Sequence, residues 1–371
     1  MGHAATRRWW LRLTLALVAS VSSVALTSAA EPAPAPEARE GFVLRFVGDV
    51  SFAGRQVPKT VAEATGETNP LAAFAEPFAE ADITVANAEG LLTSERPPAY
   101  RESRLDIGAP PVWAWVFAAA SVDVVGVANN HAWDGGADGV RENLANLRAA
   151  GVTAIGAGET AEEAEAPYVF ERAGRCVAVL PATLKSNRGR KKGAAVAYYR
   201  GDGELARLVA HVEALRARGC FVAVSVHMGR EGVTRAPRGV VAAARRLVDA
   251  GAGLVVGHHP HVLQGVEWRG EAAIAYSLGN FVFTNRTPLK RQTGVLSVRL
   301  TGDDPPRLAE VALLPAVIRV PSFAPTPATA AETIALRDAL RDASRAFGTR
   351  VEVHDGRLVF LPPAATSPAD R

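Results

Sequence analysis

The chain has 371 residues, 48% of them apolar and 21% charged, enough for one large domain or two ordinary ones. Its formal charge is +3, but Arg7, Arg8 and Arg12 supply that excess: removing them from the 41 Lys and Arg leaves 38, against 38 Asp and Glu. A near-neutral body argues against nucleic acid as a partner.

Residues 1–30 read as an export signal. An arginine-rich start precedes an uncharged stretch from Leu13 to Ala30, which ends in the small residues Ser28-Ala29-Ala30. Thr6-Arg7-Arg8-Trp9-Trp10-Leu11 approximates a twin-arginine signal, which would export a folded, metallated protein; paired arginines also occur in ordinary Sec signals. Both routes place the protein in the periplasm or at the cell surface. If the stretch is not cleaved, residues 9–30 associate with the membrane. Residues 31–41 form a Pro/Ala-rich linker, stiffened by Pro32, Pro34 and Pro36.

From Gly41 onward, continuous apolar runs alternate with helical patterns. Strands are predicted at Phe42–Val47, Ile83–Ala86, Val122–Val127, Val177–Pro181, Phe221–Val226 and Leu254–Val256. Helices are predicted at Leu71–Glu80, Gly139–Ala150, Glu204–Arg218 and Gly239–Ala250. This alternation predicts an α/β sandwich with much parallel pairing. Ala273–Ser277, Gly294–Leu300 and Leu308–Leu314 lack intervening helices, and an antiparallel portion is expected there. A helix around Ala328–Phe347 and a hairpin at Arg350–Phe360, turning at Asp355-Gly356, complete the chain. Cys176 and Cys220 open two predicted strands, so they form either a disulfide or two small buried hydrophobes.

The strand ends carry the chemistry. They read Gly48-Asp49, Asn87-Ala88-Glu89, Asn129-Asn130-His131 with Asp134 following, His227 with Glu231 four residues on, Gly257-His258-His259-Pro260-His261, and Ser277-Leu278-Gly279-Asn280. Ligands bind at the carboxyl edge of α/β sheets, and imidazole is the commonest side-chain metal ligand. One shared site explains all of these ends together. Ser277 lacks the strand–elbow–helix context of a nucleophile and reads as a packed turn. The basic loop containing Lys185, Arg188, Arg190, Lys191 and Lys192 is either a polyanion contact or a solvated surface.

In this order the motifs resemble the CapA family of poly-γ-glutamate capsule biosynthesis proteins, related in fold to calcineurin-like metallophosphoesterases. The resemblance spans roughly residues 42–320, with the C-terminal helix and hairpin of 321–371 packed on the same domain. It implies a four-layer α/β/β/α metallo-dependent phosphatase-like sandwich. Carried over, Asp49 and His261 bind one divalent ion, Asn130, His227 and His259 bind a second, and Glu89 bridges them. The ions would be one or two of Mn, Fe or Zn. The resemblance also implies that His131 meets the substrate or protonates a leaving group. His258 is a candidate extra ligand, Asn280 a support for a ligand histidine, and Glu231 either an orienting partner for His227 or simply a loop carboxylate. An anionic polymer such as poly-γ-glutamate, or another capsule component, is the implied partner. Two positions depart from the phosphoesterase pattern: Ser51 stands where a histidine is usual, and Glu89 where an aspartate is usual. Two functions follow, a capsule biosynthesis protein with such a metal site, or a metal-dependent hydrolase acting on other envelope material.

Overall fold

The computed structural model describes residues 41–364, except Val57, Glu67, 95–106 and 190–191. The export signal, residues 31–40 of the linker, Arg190, Lys191 and the tail from 365 lie outside the described residues.

Among the described residues, two sheets face each other. The larger is built around Phe42–Val50. On one side Ile83–Ala88, Val124–Gly126 and Thr153–Ile155 add in parallel. On the other, Gln292–Leu300, Leu308–Arg319, Arg357–Leu361 and Arg350–His354 follow, each antiparallel to its neighbour. The second sheet runs Val266–Arg269, Ala272–Ala275, Leu254–His258, Cys220–His227, Arg175–Thr183, Tyr168–Arg172. Its four inner strands are all parallel.

Alternation fixes which face each strand turns inward. Phe42, Leu44 and Phe46 stand opposite Leu300, Val298 and Leu296 across the antiparallel ladder, and all six are buried between the sheets. Val177, Val179, Phe221, Ala223, Leu254 and Val256 meet them from the second sheet. A one-residue slip would turn Arg45, paired to Glu80 at 3.3 Å, into that apolar layer, so the register is strongly specified.

Helices cover both outer faces, which completes a four-layer sandwich. Gly201–Ala217 buries Leu205, Leu208, Val212 and Leu215, and Arg238–Asp249 buries Ala244 and Leu247, against the second sheet. Gly136–Ala149 buries Val140, Asn143 and Leu147 on the opposite side. Ala330–Ser344 starts at a capping box formed by Thr329 and Glu332, and Leu336 and Leu340 join the core between the sheets.

Most predicted strands are present with longer ends. Gln292–Leu300 and Leu308–Arg319 are antiparallel as expected, but Ala272–Ala275 pairs in parallel with Leu254–His258 and antiparallel only with Val266–Arg269. The loop from His258 to Gly265 provides the reversal that no helix was needed to supply. Cys176 and Cys220 are register partners on adjacent parallel strands and form a disulfide, closing a sequence separation of 44.

Candidate metal centre

The parallel strands of both sheets end at one common edge. Asp49 lies near the end of Phe42–Val50, Glu89 just beyond Ile83–Ala88, and His227 and His258 close adjacent strands, where they are register partners. Two glycines let these ends approach. A side chain at Gly48 would place its Cβ 2.1 Å from the Gly279 carbonyl oxygen, and one at Gly257 would sit 2.0 Å from that of Tyr276. The histidine turn itself is held in an unusual backbone: φ is 95° at His259 and 56° at His261. Residues other than glycine rarely adopt such values, and they concentrate at functional sites.

Asp49 is fully buried. It accepts from Asn87 Nδ2 at 2.8 Å and from the His259 backbone N–H at 3.1 Å. His258 Nδ1 and His261 Nδ1 lie 3.5 and 3.4 Å from its two oxygens. Glu89 is 1% exposed and neither of its oxygens has a hydrogen-bond partner. Three imidazole nitrogens surround Glu89 Oε1 instead: His261 Nε2 at 3.6 Å, His227 Nε2 at 3.8 Å and His131 Nε2 at 3.9 Å. His227 Nε2 also lies 2.7 Å from Asn130 Oδ1 and 3.1 Å from His259 Nδ1.

The electrostatics are those of a site built for positive charge. Burial raises Glu89 well above the usual carboxylate range; Asp49 and Glu231 add to the rise, and His261 opposes it. Burial would also raise Asp49, but His258, His261 and His227 outweigh it and hold Asp49 well below its ordinary value. Burial drives His227 well down and His259 to about 4, so both imidazoles are neutral donors at pH 7. His261 is lifted to about 10, because Glu89 and Asp49 overcome its burial.

These residues fit a divalent cation. An unpaired buried carboxylate costs several kcal/mol unless it is protonated or meets a cation. Donor atoms of Asp49, Glu89 and His227 lie within 4.8 Å of one another, as do those of Glu89, His259 and His261. Glu89 belongs to both sets. The mixed imidazole and carboxylate chemistry suits Mn, Fe or Zn.

Supporting contacts surround the cluster. Asn280 Oδ1 accepts from His261 Nδ1 at 2.8 Å, which leaves Nε2 toward Glu89. His131 Nδ1 lies 2.5 Å from Asp134 Oδ2, and its backbone N–H donates to Asn129 Oδ1 at 3.1 Å. Ser225 Oγ sits 3.1 Å from His258 Nε2. Glu231 is exposed; Asn87, 3.3 Å from His227 Nδ1, occupies the orienting place expected of it. Ser51 Oγ is buried and has no partner. Ser277 Oγ donates to the Val262 carbonyl and accepts from the Gly279 N–H, as a packed turn requires.

Sequence reasoning missed Asn87 and Asn187. Asn187 Nδ2 lies 3.3 Å from both His131 nitrogens, and its N–H donates to the Asn130 carbonyl. Asn87 lies in the Asn87-Ala88-Glu89 strand end, where its position was legible. Asn187 arrives from the basic loop, with no spacing that marks it. In that loop Arg188 turns inward to lie 3.7 Å from Asp134 Oδ1.

Residues 43–285 match the family described as bacterial capsule synthesis protein PGA_cap. The chain is 27% identical to the PGA biosynthesis protein CapA of Bacillus subtilis (strain 168), over 85% of this chain and 81% of that one. It is 28% identical to the capsule biosynthesis protein CapA of Bacillus anthracis, over 74% and 67% respectively. A probable polyglutamine synthesis accessory protein of Mycobacterium tuberculosis is 27% identical over 76% of each. Among solved structures, the sulfate thiohydrolase SoxB of Thermus thermophilus aligns at TM-score 0.45 and 15% identity, covering 82% of this chain and 61% of that one.

Proposed function

The chain belongs to the bacterial capsule synthesis protein family PGA_cap, and we propose that it is an exported protein of poly-γ-glutamate capsule biosynthesis that works through a divalent metal centre. Asp49, Glu89, Asn130, His227, His259 and His261 would hold the metal. The observation that carries this reading is Glu89: a buried carboxylate without a hydrogen bond, facing three imidazoles. When bound, such an ion would supply Lewis-acid chemistry.

The protein's own groups then have separate tasks. Asn280 fixes the His261 ring. Asp134 holds the Nδ1 proton of His131, which leaves Nε2 directed toward the Glu89 side as the nitrogen that gives or takes a proton. Asn129 and Asn187 hold the turn that presents it. Export is supported by the arginine-rich apolar start and by the Cys176–Cys220 disulfide, which suits an oxidising compartment.

The His131–Asp134 pair favours a second reading, in which the site hydrolyses a phosphoester or related bond in other envelope material. Capsule complementation separates the two. In a polyglutamate-capsulated strain lacking its own family member, the full chain should restore capsule and Glu89→Gln should not. Capsule restored equally by both would contradict the proposal.

A further inference from the structure

A groove of about 510 Å³ runs between the Arg238–Asp249 helix and the turn that ends the Ala330–Ser344 helix. Half-buried Val241 and Phe347 and exposed Ala346 give it an apolar lining, beside the exposed Arg235, Arg238 and Arg345. Among the described residues, no carboxylate pairs with any of these three arginines. Of the other charged lining residues, Arg245 donates to both oxygens of Glu267 at 2.9 and 3.2 Å, and the carboxylate Asp342 lies 3.3 Å from Arg341 outside the groove. In a body with equal numbers of acids and bases, three uncompensated arginines over one hollow are a local field.

The groove is mechanically continuous with the metal centre. The loop after His227 is tied to the histidine turn, because the Gly232 N–H donates to the Pro260 carbonyl at 2.8 Å. Gln264 Nε2 donates to the Val233 carbonyl, and the Val266 N–H to Ser344 Oγ at 3.0 Å. Tyr276, from the motif that contains Asn280, stacks on Phe347 with ring centres 5.0 Å apart. The strand ends that hold the site therefore also hold both walls of the groove.

We infer that this groove binds an extended stretch of γ-linked polyglutamate, its carboxylates on Arg235, Arg238 and Arg345 and its methylene runs on Val241, Ala346 and Phe347. The identity of the polymer rests on the capsule reading above; the chemistry asked of it, carboxylates spaced by apolar links, comes from the groove.

The test uses the full-length protein and fluorescently labelled poly-γ-glutamate, with binding followed by anisotropy across a salt series. Combined Arg235→Gln, Arg238→Gln and Arg345→Gln should weaken binding about tenfold or more at low salt and flatten its salt dependence. The corresponding triple lysine variant should retain most of the binding, and metal content should be unchanged in both. Wild-type affinity in the glutamine variant, or no polymer binding by the wild type, would overturn the groove. Equal binding of polyphosphate through the same arginines would overturn the carboxylate assignment. A failed capsule role would appear separately, in complementation rather than in this affinity.

Discussion

Glu89 Oε1 lies 3.6 Å from His261 Nε2 inside the protein, and neither oxygen of Glu89 accepts a hydrogen bond. Without a cation, the pair titrates as a unit and keeps an additional proton into alkaline solution.

This relationship sets the pH dependence of the metal-free protein. The pair binds more protons folded than unfolded between the ordinary histidine value of 6.5 and about 10, so stability falls as pH rises through that window. The slope approaches about 1.4 kcal/mol per pH unit for one proton. Below 6.5 His259, depressed to about 4, and His227, driven well down, give the opposite slope and together outweigh the proton that Glu89 holds above its ordinary 4.5. Urea unfolding of chelated protein should therefore show maximal stability near pH 6.5, and His261→Gln should flatten the alkaline limb.

His131 and Asp134 are expected to matter for turnover and not for metal. His131→Ala should keep wild-type metal content while any hydrolysis of a phosphodiester panel falls by about 10²–10⁴-fold. Asp134→Asn should fall less and shift the pH profile, because it leaves the imidazole in place but removes the partner of Nδ1. Unchanged hydrolysis in His131→Ala would remove it from the mechanism.

The disulfide should stabilise the sheet that carries His227. Replacing Cys176 and Cys220 with Ser opens a connection spanning 44 residues and should cost about 2–4 kcal/mol. A lower midpoint in urea with a somewhat steeper slope is the expected result, because the unlinked denatured chain is less compact.

Much of this architecture was legible in the chain. Long apolar runs such as Cys220–His227 declare buried parallel strands, and their polar ends declare a shared edge. Thr153–Ile155 and Tyr168–Arg172 escaped notice because both lie at sheet edges, partly exposed and without clear alternation. The short helix Ala114–Ala119 is largely apolar and has no period to read. Within the site, His259 and His261 could be read from local spacing. The division of labour around them could not, because Asn187, Asn87 and Ser225 reach the histidines through tertiary placement. Glu231, four residues from His227 in sequence, is exposed to solvent and reaches Glu89 and His259 only through its charge.

The most direct test of the account is metal content. Full-length protein purified without thiol reductant, so that Cys176–Cys220 stays intact, should bind about one or two ions of Mn, Fe or Zn per chain. His259→Ala combined with His261→Ala should lose them while remaining folded. Folded wild-type protein that takes up none of the three metals would contradict the central claim.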